Sequence, residues 1–557
     1  MCSGARRTFI DLNDSSLPFS PLNGLNKKKI LIVFFFIFYF DLLLFYYYYY
    51  HRLLWWWCCC CGFLFFCCFL SLSLSSAYGL SASPYVSSET SRQRQLLRIP
   101  TLYLDVGKDI RSKVVMADVT FSEIYKHCSG LCQYSKDNEH LAVAVQHRLV
   151  IRDPDSMQIK QVYTCLDTIN DIKWSEDSKY IITVILQRAM VQVWSIDKPE
   201  WTCRINEGLA GLVGARWAPN SRTVLTFADF NLHVTCWSLT DGTAVCIKNP
   251  KNIGNIDFSP DGKFCCLAHR HECRDSIGIY STKNWGKALE FPTNTLDLSE
   301  IKYSPDGSAI AVIDTELNYT VQIFSPDGTR LAKYCAYENA LGIKSFSFSP
   351  KGNIAIGSYD ESVRILSQTS WKCIADLVHT QTVSPQHAHV YCEVISSGDD
   401  IAGKTAYQLV TKNRSRLKSV TPDATKPFPR IGVGSVSWSY DDEFVATKND
   451  NMPHAVWIWS SKSLSLYAVL IHRNVVRSFR WSPKRAQLAI CTGTNKCFFW
   501  SVDGASWVDI PSNDFDVRGI RWSPNGKSLT FLQTKRFCTC YFQSHVPETG
   551  TGKVPEE

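Results

Sequence analysis

Apolar and polar residues follow one short motif that recurs along most of this chain. An aromatic residue is followed by a small one, then by a turn rich in Pro, Asp, Asn or Gly, then by an apolar run. The copies begin at Tyr134 (YSKDNEHLAVAV), Trp174 (WSEDSKYIITVI), Trp217 (WAPNSRTVLTFA), Phe258 (FSPDGKFCCLAH) and Tyr303 (YSPDGSAIAVID). They continue at Phe348 (FSPKGNIAIGSY), Trp438 (WSYDDEFVATKN), Trp481 (WSPKRAQLAICT) and Trp522 (WSPNGKSLTFLQ). Successive anchors lie 40, 43, 41, 45, 45, 90, 43 and 41 residues apart, and the outlier is twice 45. A repeat of roughly 40–45 residues built from short strands predicts a β-propeller blade.

The second half of each repeat agrees. Downstream of each anchor comes a β-rich run ending in an aromatic or bulky apolar residue, usually followed by Ser. These runs are VQVWS ending at Ser195, VTCWS at Ser238, IGIYS at Ser281, VQIFS at Ser325, VRILS at Ser367, VWIWS at Ser460 and CFFWS at Ser501. Leu149–Asp153 and Cys538–Phe542 fill the same slot in the first and last repeats. WD-type blades usually carry Trp-Asp here, so the chain reads as a divergent WD40-type propeller. Asp-Gly and Asn-Gly supply the turns, because Gly takes positive φ at no steric cost. β-Branched and aromatic runs suit half-buried strands. A lone blade cannot bury both faces, and stacking blades around an axis does. The expected fold is all-β: about nine blades in one closed ring over 116–545, with two smaller propellers split near an insertion at about 379–430 as the alternative. Thr120–Tyr125 is expected to supply a strand that pairs with the last blade and closes the ring.

The doubled interval holds extra sequence. Trp371–Val378 reads as the outer strand of the sixth blade and Ile431–Trp438 as the inner strand of the next. The insertion between them, at about 379–430, contains Pro385, Pro422, Pro427 and Pro429, a basic run from Lys412 to Lys418, and two β-like pieces, Val390–Val394 and Ala406–Val410. It reads as a surface insertion; the rival is a degenerate tenth blade.

Residues 1–115 stand apart. Positions 30–70 are almost continuously apolar and contain runs of one residue type, such as Tyr46–Tyr50, Trp55–Trp57 and Cys58–Cys61. Tyr, Trp, Cys, Phe and Leu have T-rich codons, so translated non-coding DNA is the preferred reading and Met116 the expected start. The alternative is a membrane anchor, flanked by Lys27–Lys29 but interrupted by Asp41, His51 and Arg52. Residues 546–557 read as a disordered tail. Charge divides the same way: 12 Lys/Arg face 6 Asp/Glu in 1–115, against 47 and 45 in the rest. A nearly neutral propeller does not point to nucleic acid. Sixteen of the 23 cysteines lie outside the first 115 residues, irregularly spaced inside strand patterns, as reduced small hydrophobes rather than a disulfide framework.

No constellation points to catalysis, and no cofactor is expected: the Gly-x-Ser-x-Gly elbow, the phosphate loop and His-Glu-x-x-His are all missing from the sequence. Cys265, Cys266, His269, His271 and Cys273 are of zinc-binding types. They sit on a strand and its hairpin, where alternation sends neighbours to opposite sides, so no metal site is expected. Asp360 is expected to tighten a hairpin turn. Non-consensus loops are the expected protein contacts: Pro199, Glu200 and Trp201 after the third strand of blade 2, and Asn449, Asp450, Asn451 and Pro453 in blade 7.

Several stretches resemble the centrosomal WD-repeat family known as WD repeat-containing antisense protein. They include YTCLDTINDIKWSEDS (163–178), VQVWSIDKPEWTCRINEGLAGLV (191–213), AYENALGIKSFSFSP (336–350), GSYDESVRILSQTSWK (357–372), FVATKNDNMPHAVWIW (444–459) and LAICTG (488–493). The resemblance spans about 116–545; it fails at the N-terminus and is slight in the insertion. It implies a non-enzymatic scaffold at the centrosome or spindle pole. Its implied partners are a coiled-coil centrosomal protein and, through it, γ-tubulin complexes or a minus-end-directed kinesin. Roles in microtubule minus-end anchoring, spindle organisation and cilium assembly follow from it. Two other classes stay open: a translation-initiation-factor-like propeller, and a membrane-tethered one if 30–70 is real.

Overall fold

A computed structural model describes residues 119–395, 405–412, 414–423, 425 and 429–542. The readings of 1–115 and of 546–557 lie outside the described residues. Within them every regular element except three one-turn 3-10 helices is a β-strand, and no helix is long and apolar enough to cross a membrane.

Nine blades follow one another along the described chain, each built on four antiparallel strands, here a to d from the axis outwards; eight take these four in sequence order, and the ninth takes its strand d from the start of the described chain. The first strands of successive sheets touch one another, which places strand a at the axis. Nine apolar clusters fill the nine blade–blade boundaries, from Ala142, Ile151 and Trp174 between blades 1 and 2 to Tyr134, Leu141, Leu532 and Phe537 between blades 9 and 1. The ring is therefore one and closed. Blade 9 is completed by the start of the described chain: Val119–Phe121 pairs antiparallel with Arg536–Phe542, and Tyr125–Lys126 pairs further along the same strand.

The motif has a direct physical account. In six blades the serine after the anchor accepts the backbone N–H five residues on and donates to the Asp or Asn two residues on. Ser175 binds Tyr180 N and Asp177 Oδ1 at 3.0 and 2.6 Å, and Ser523 binds Ser528 N and Asn525 Oδ1 at 2.9 and 2.8 Å. These bonds pre-form the a–b turn. The anchor tryptophans do a second job. Trp174, Trp217, Trp438, Trp481 and Trp522 each donate Nε1–H to the carbonyl just before the preceding blade's anchor, at 2.9–3.2 Å. A buried indole thereby spends its polar atom on the neighbouring blade.

The insertion makes no tenth blade. His389–Ile395 pairs parallel with strand d of blade 7, Ser465–Ile471, and antiparallel with Thr405–Val410, which widens that blade to six strands. Tyr407 enters the core between blades 7 and 8. A second piece, Ser415–Arg416, pairs with Thr382–Val383, and Val383, Ala388 and Leu417 join the core between blades 6 and 7.

Candidate functional site

Because the strands of a blade are antiparallel, the a–b and c–d turns share one face of the ring. The b–c turns and the blade-to-blade connections share the other, called the upper face here. Pro199, Glu200 and Trp201 lie in a c–d turn and Asn449, Asp450, Asn451 and Pro453 in a b–c turn, so the two sequence-predicted groups sit on opposite faces. Pro199 and Glu200 are exposed. Trp201 is about one-third exposed and packs edge-on against Tyr180 of its own blade, with ring centroids 5.5 Å apart.

The blade 7 group is largely internal. Asn449 is fully buried and donates from Nδ2 to Glu361 Oε2 at 2.9 Å. Asp450 pairs with Lys344 at 2.8 Å and lies 3.7 Å from Lys448. Burial, opposed by Asp450, pulls the Lys448 ammonium below its ordinary value. The Asn451 carbonyl accepts Val420 N–H of the insertion at 2.7 Å. Asp360 accepts Ser362 N–H at 3.2 Å, Arg364 Nη2–H at 2.7 Å and the Ser358 hydroxyl. Burial opposes ionisation there, yet these bonds outweigh it and hold the Asp360 carboxyl below its usual value. The cysteine–histidine cluster is divided by alternation: Cys265 faces the blade 3–4 core, Cys266 the blade 4–5 core, and His269 accepts or donates at 2.8 Å with the Tyr280 hydroxyl. Among the described residues no group of His, Cys, Asp and Glu is arranged to hold a metal.

A different surface stands out on the upper face at blades 2 and 3. All three 3-10 turns among the described residues occur there: Leu186–Arg188, Gly208–Ala210 and Asp229–Asn231. They present Leu186, Leu209, Val213, Phe230 and Leu232 to solvent; Leu209 is fully exposed and Phe230 is 85% exposed. The three turns are tied together. Glu207 N–H, just before the second turn, donates to Ala189 O, just after the first, at 3.1 Å, and a Cβ on Gly211, after the second, would meet Asp229 Cβ of the third at 3.0 Å. Phe230 and Asn231 both have φ of 54°. An aromatic residue held left-handed costs roughly 1–2 kcal/mol, and such strain concentrates where function needs it.

Beneath this surface lies a buried carboxylate. Glu207 is the first residue after strand d of blade 2, with its side chain 5% exposed. It accepts Trp237 Nε1–H at 3.1 Å and the Thr226 hydroxyl, with His233 Nε2 at 3.3 Å. Two other blade boundaries use the same slot. Cys165 meets Thr183 and Trp194 before blade 2, and His379 meets Thr447 and Trp459 before blade 7. The glutamate anchors the loops below the exposed leucine and phenylalanine.

Sequence reasoning missed Leu209 and Phe230 because an apolar residue is read as buried by default. A signal was present: INEGLAGLV and FADFNLH crowd apolar residues into turns that most other repeats keep polar, Leu296 and Leu317 apart.

No protein-family profile matches the chain. The mouse WD repeat-containing protein WRAP73 is 41% identical over 446 residues, covering 76% of this chain and 96% of that protein. An uncharacterized WD repeat-containing protein of Schizosaccharomyces pombe is 24% identical over 334 residues, covering 55% of this chain and 65% of its own length. Among solved structures, the C-terminal WD40 domain of Sif2 aligns with a TM-score of 0.43 at 13% identity, covering 76% of this chain and 99% of that domain. By its similarity to nearly the whole of the mouse protein, and with nine blades of the expected kind, the chain belongs to the WRAP73 family of WD-repeat proteins.

Proposed function

We propose that this propeller is a non-enzymatic scaffold at the centrosome and spindle pole. In this reading it holds a coiled-coil partner and, through it, γ-tubulin complexes or a minus-end-directed kinesin. It thereby serves microtubule minus-end anchoring, spindle organisation and cilium assembly. The family stretches at 163–178, 191–213 and 444–459 support the cellular setting. The observation that carries the binding role is the exposed Leu209 and Phe230, displayed on strained, mutually braced loops. Exposed apolar groups of this kind mark interaction sites, and a few such anchors dominate interface energetics. The apolar face of one helix of a coiled coil is a chemically suitable occupant.

The test is the double variant Leu209→Asp/Phe230→Gly, expressed as a tagged full chain in dividing cells. Its unfolding free energy is expected to stay within about 1 kcal/mol of wild type, since neither side chain is buried and Gly accepts the left-handed φ. Its focus at spindle poles and its recovered coiled-coil partner should both disappear. A wild-type chain that never concentrates at poles would sink the cellular reading. A variant that still does so would move the contact to another surface.

A further inference from the structure

The geometry points to a docking strip for an extended acidic peptide on the insertion, a surface separate from the blade 2–3 loops and independent of their role. Lys412, Arg414, Arg416 and Lys418 are all exposed. Between them, Ser415 is half-buried and Leu417 is buried in the core between blades 6 and 7. Ser415–Arg416 is a strand whose ladder continues to Leu417, and extended backbone sends alternate side chains to opposite sides, so Arg414, Arg416 and Lys418 line one side at intervals of roughly 6.6 Å. Among the described residues none of the four has a side-chain hydrogen bond or ion pair.

The backbone beneath this stripe has an unused edge. Ser415–Arg416 pairs only with Thr382–Val383 among the described residues. Leu417 N–H donates to Gln381 O at 2.8 Å, so the ladder bonds fall on residues 415 and 417. In an antiparallel pair the residue between them turns its own N–H and C=O the other way. Arg416 therefore offers both groups to a strand added from outside. Such β-augmentation supplies main-chain bonds, and side chains directly across the new pair come within about 5 Å. A peptide with Asp or Glu at every second position would set one carboxylate opposite each of Arg414, Arg416 and Lys418.

The local field favours the same occupant. The strip ends at Val420, bonded to Asn451 beside Lys344 and Lys448, which share the single carboxylate of Asp450. A single-stranded nucleic acid would want aromatic side chains to stack its bases, and residues 412–418 contain none. An anionic bilayer would leave the free strand edge unmatched.

The experiment uses the full chain and two fluorescein-labelled octapeptides of equal composition. One alternates Thr and Glu; the other has the four Thr first and the four Glu after. Anisotropy titration at about 50 mM salt should show the alternating peptide binding roughly fivefold or more tighter than the block peptide. Arg414→Glu/Arg416→Glu/Lys418→Glu should weaken it at least roughly tenfold with an unchanged unfolding midpoint, and Arg416→Ala about twofold to threefold. No binding by wild type, equal affinity for the two peptides, or an unaffected triple variant would each overturn the proposal. So would a strip whose charge reversal abolishes binding of oligothymidylate or of vesicles with about 30% phosphatidylserine while the peptides never bind.

Discussion

The boundaries between blades 2 and 3 and between blades 6 and 7 start from one plan and end as opposites. Each has a threonine on strand b, a tryptophan on strand c and a polar residue just after the preceding strand d. Those residues are Thr226, Trp237 and Glu207 at one boundary, and Thr447, Trp459 and His379 at the other. The buried geometry is shared, but the surface is not. At blades 2 and 3 the loops stay uncovered and show Leu209 and Phe230. At blades 6 and 7 the insertion lies alongside, buries Val383 and Leu417, and shows cations instead. The repeat thus fixes the scaffold, while the loops differentiate it at little cost to the core. This is how a ring of near-identical units acquires distinct contact surfaces.

The comparison breaks most sharply at two leucines. Leu417→Ala is expected to cost about 2–4 kcal/mol, because a buried side chain leaves a cavity. Leu209→Ala should change stability by less than about 0.5 kcal/mol. Urea unfolding of the two variants measures both. Equal costs would mean that the insertion does not cap the blade 6–7 core, or that Leu209 is not free.

Acid should separate the boundaries next. Burial pushes the His379 imidazole down to about 4, against its ordinary value near 6.5. Below that ordinary value the unfolded chain binds the proton and the folded chain does not. Stability from His379 is therefore complete above pH 6.5, declines as pH falls, and levels off below about 4. At pH 5 the loss is on the order of 2 kcal/mol. His379→Asn should reduce the difference in unfolding free energy between pH 7 and pH 5 by about that amount. Hydrogen exchange at pH 5 should loosen the blade 6–7 amides more than those at blades 2 and 3. An unchanged pH slope in the variant would show that His379 titrates normally.

The smallest expected effect is Trp201→Ala. Its ring is partly exposed and meets Tyr180 edge-on, so about 1 kcal/mol should be lost. Upper-face binding should be untouched, because this turn lies on the other face. Partner loss at an unchanged unfolding midpoint would instead make Trp201 a lower-face contact; a loss of several kcal/mol would make it core.

The ring could be read from the sequence because the bonds that build it are local. Ser175, Asp177 and Tyr180 lie within six residues, and their repetition gives the blade length. Four of the five Trp-to-carbonyl bonds between blades span one period, and the fifth spans two across the insertion, so they too leave a periodic trace. The candidate surface could not be read the same way. Its exposed leucine and phenylalanine have the composition of core residues, and their exposure follows from three turns that meet only in the folded ring. The insertion gave half its structure: both β-like pieces are strands, but nothing local specifies that His389–Ile395 pairs parallel with residues some eighty positions later. Long-range parallel pairing leaves no short motif.

Ring closure through Val119–Phe121 and Arg536–Phe542 sets a timetable for synthesis. At about 5–20 residues per second, a ribosome needs roughly 20–80 s to make the four hundred or so residues that separate the two partners. Through that wait the first strand has no mate, and each finished blade presents a raw edge to the next comer. Nascent chains of this protein should therefore be long-lived clients of cellular folding helpers. A message cut short before the codon for Arg536 should yield eight blades, a two-stranded remnant of the ninth and an unpaired first strand, the kind of product that aggregates or is destroyed.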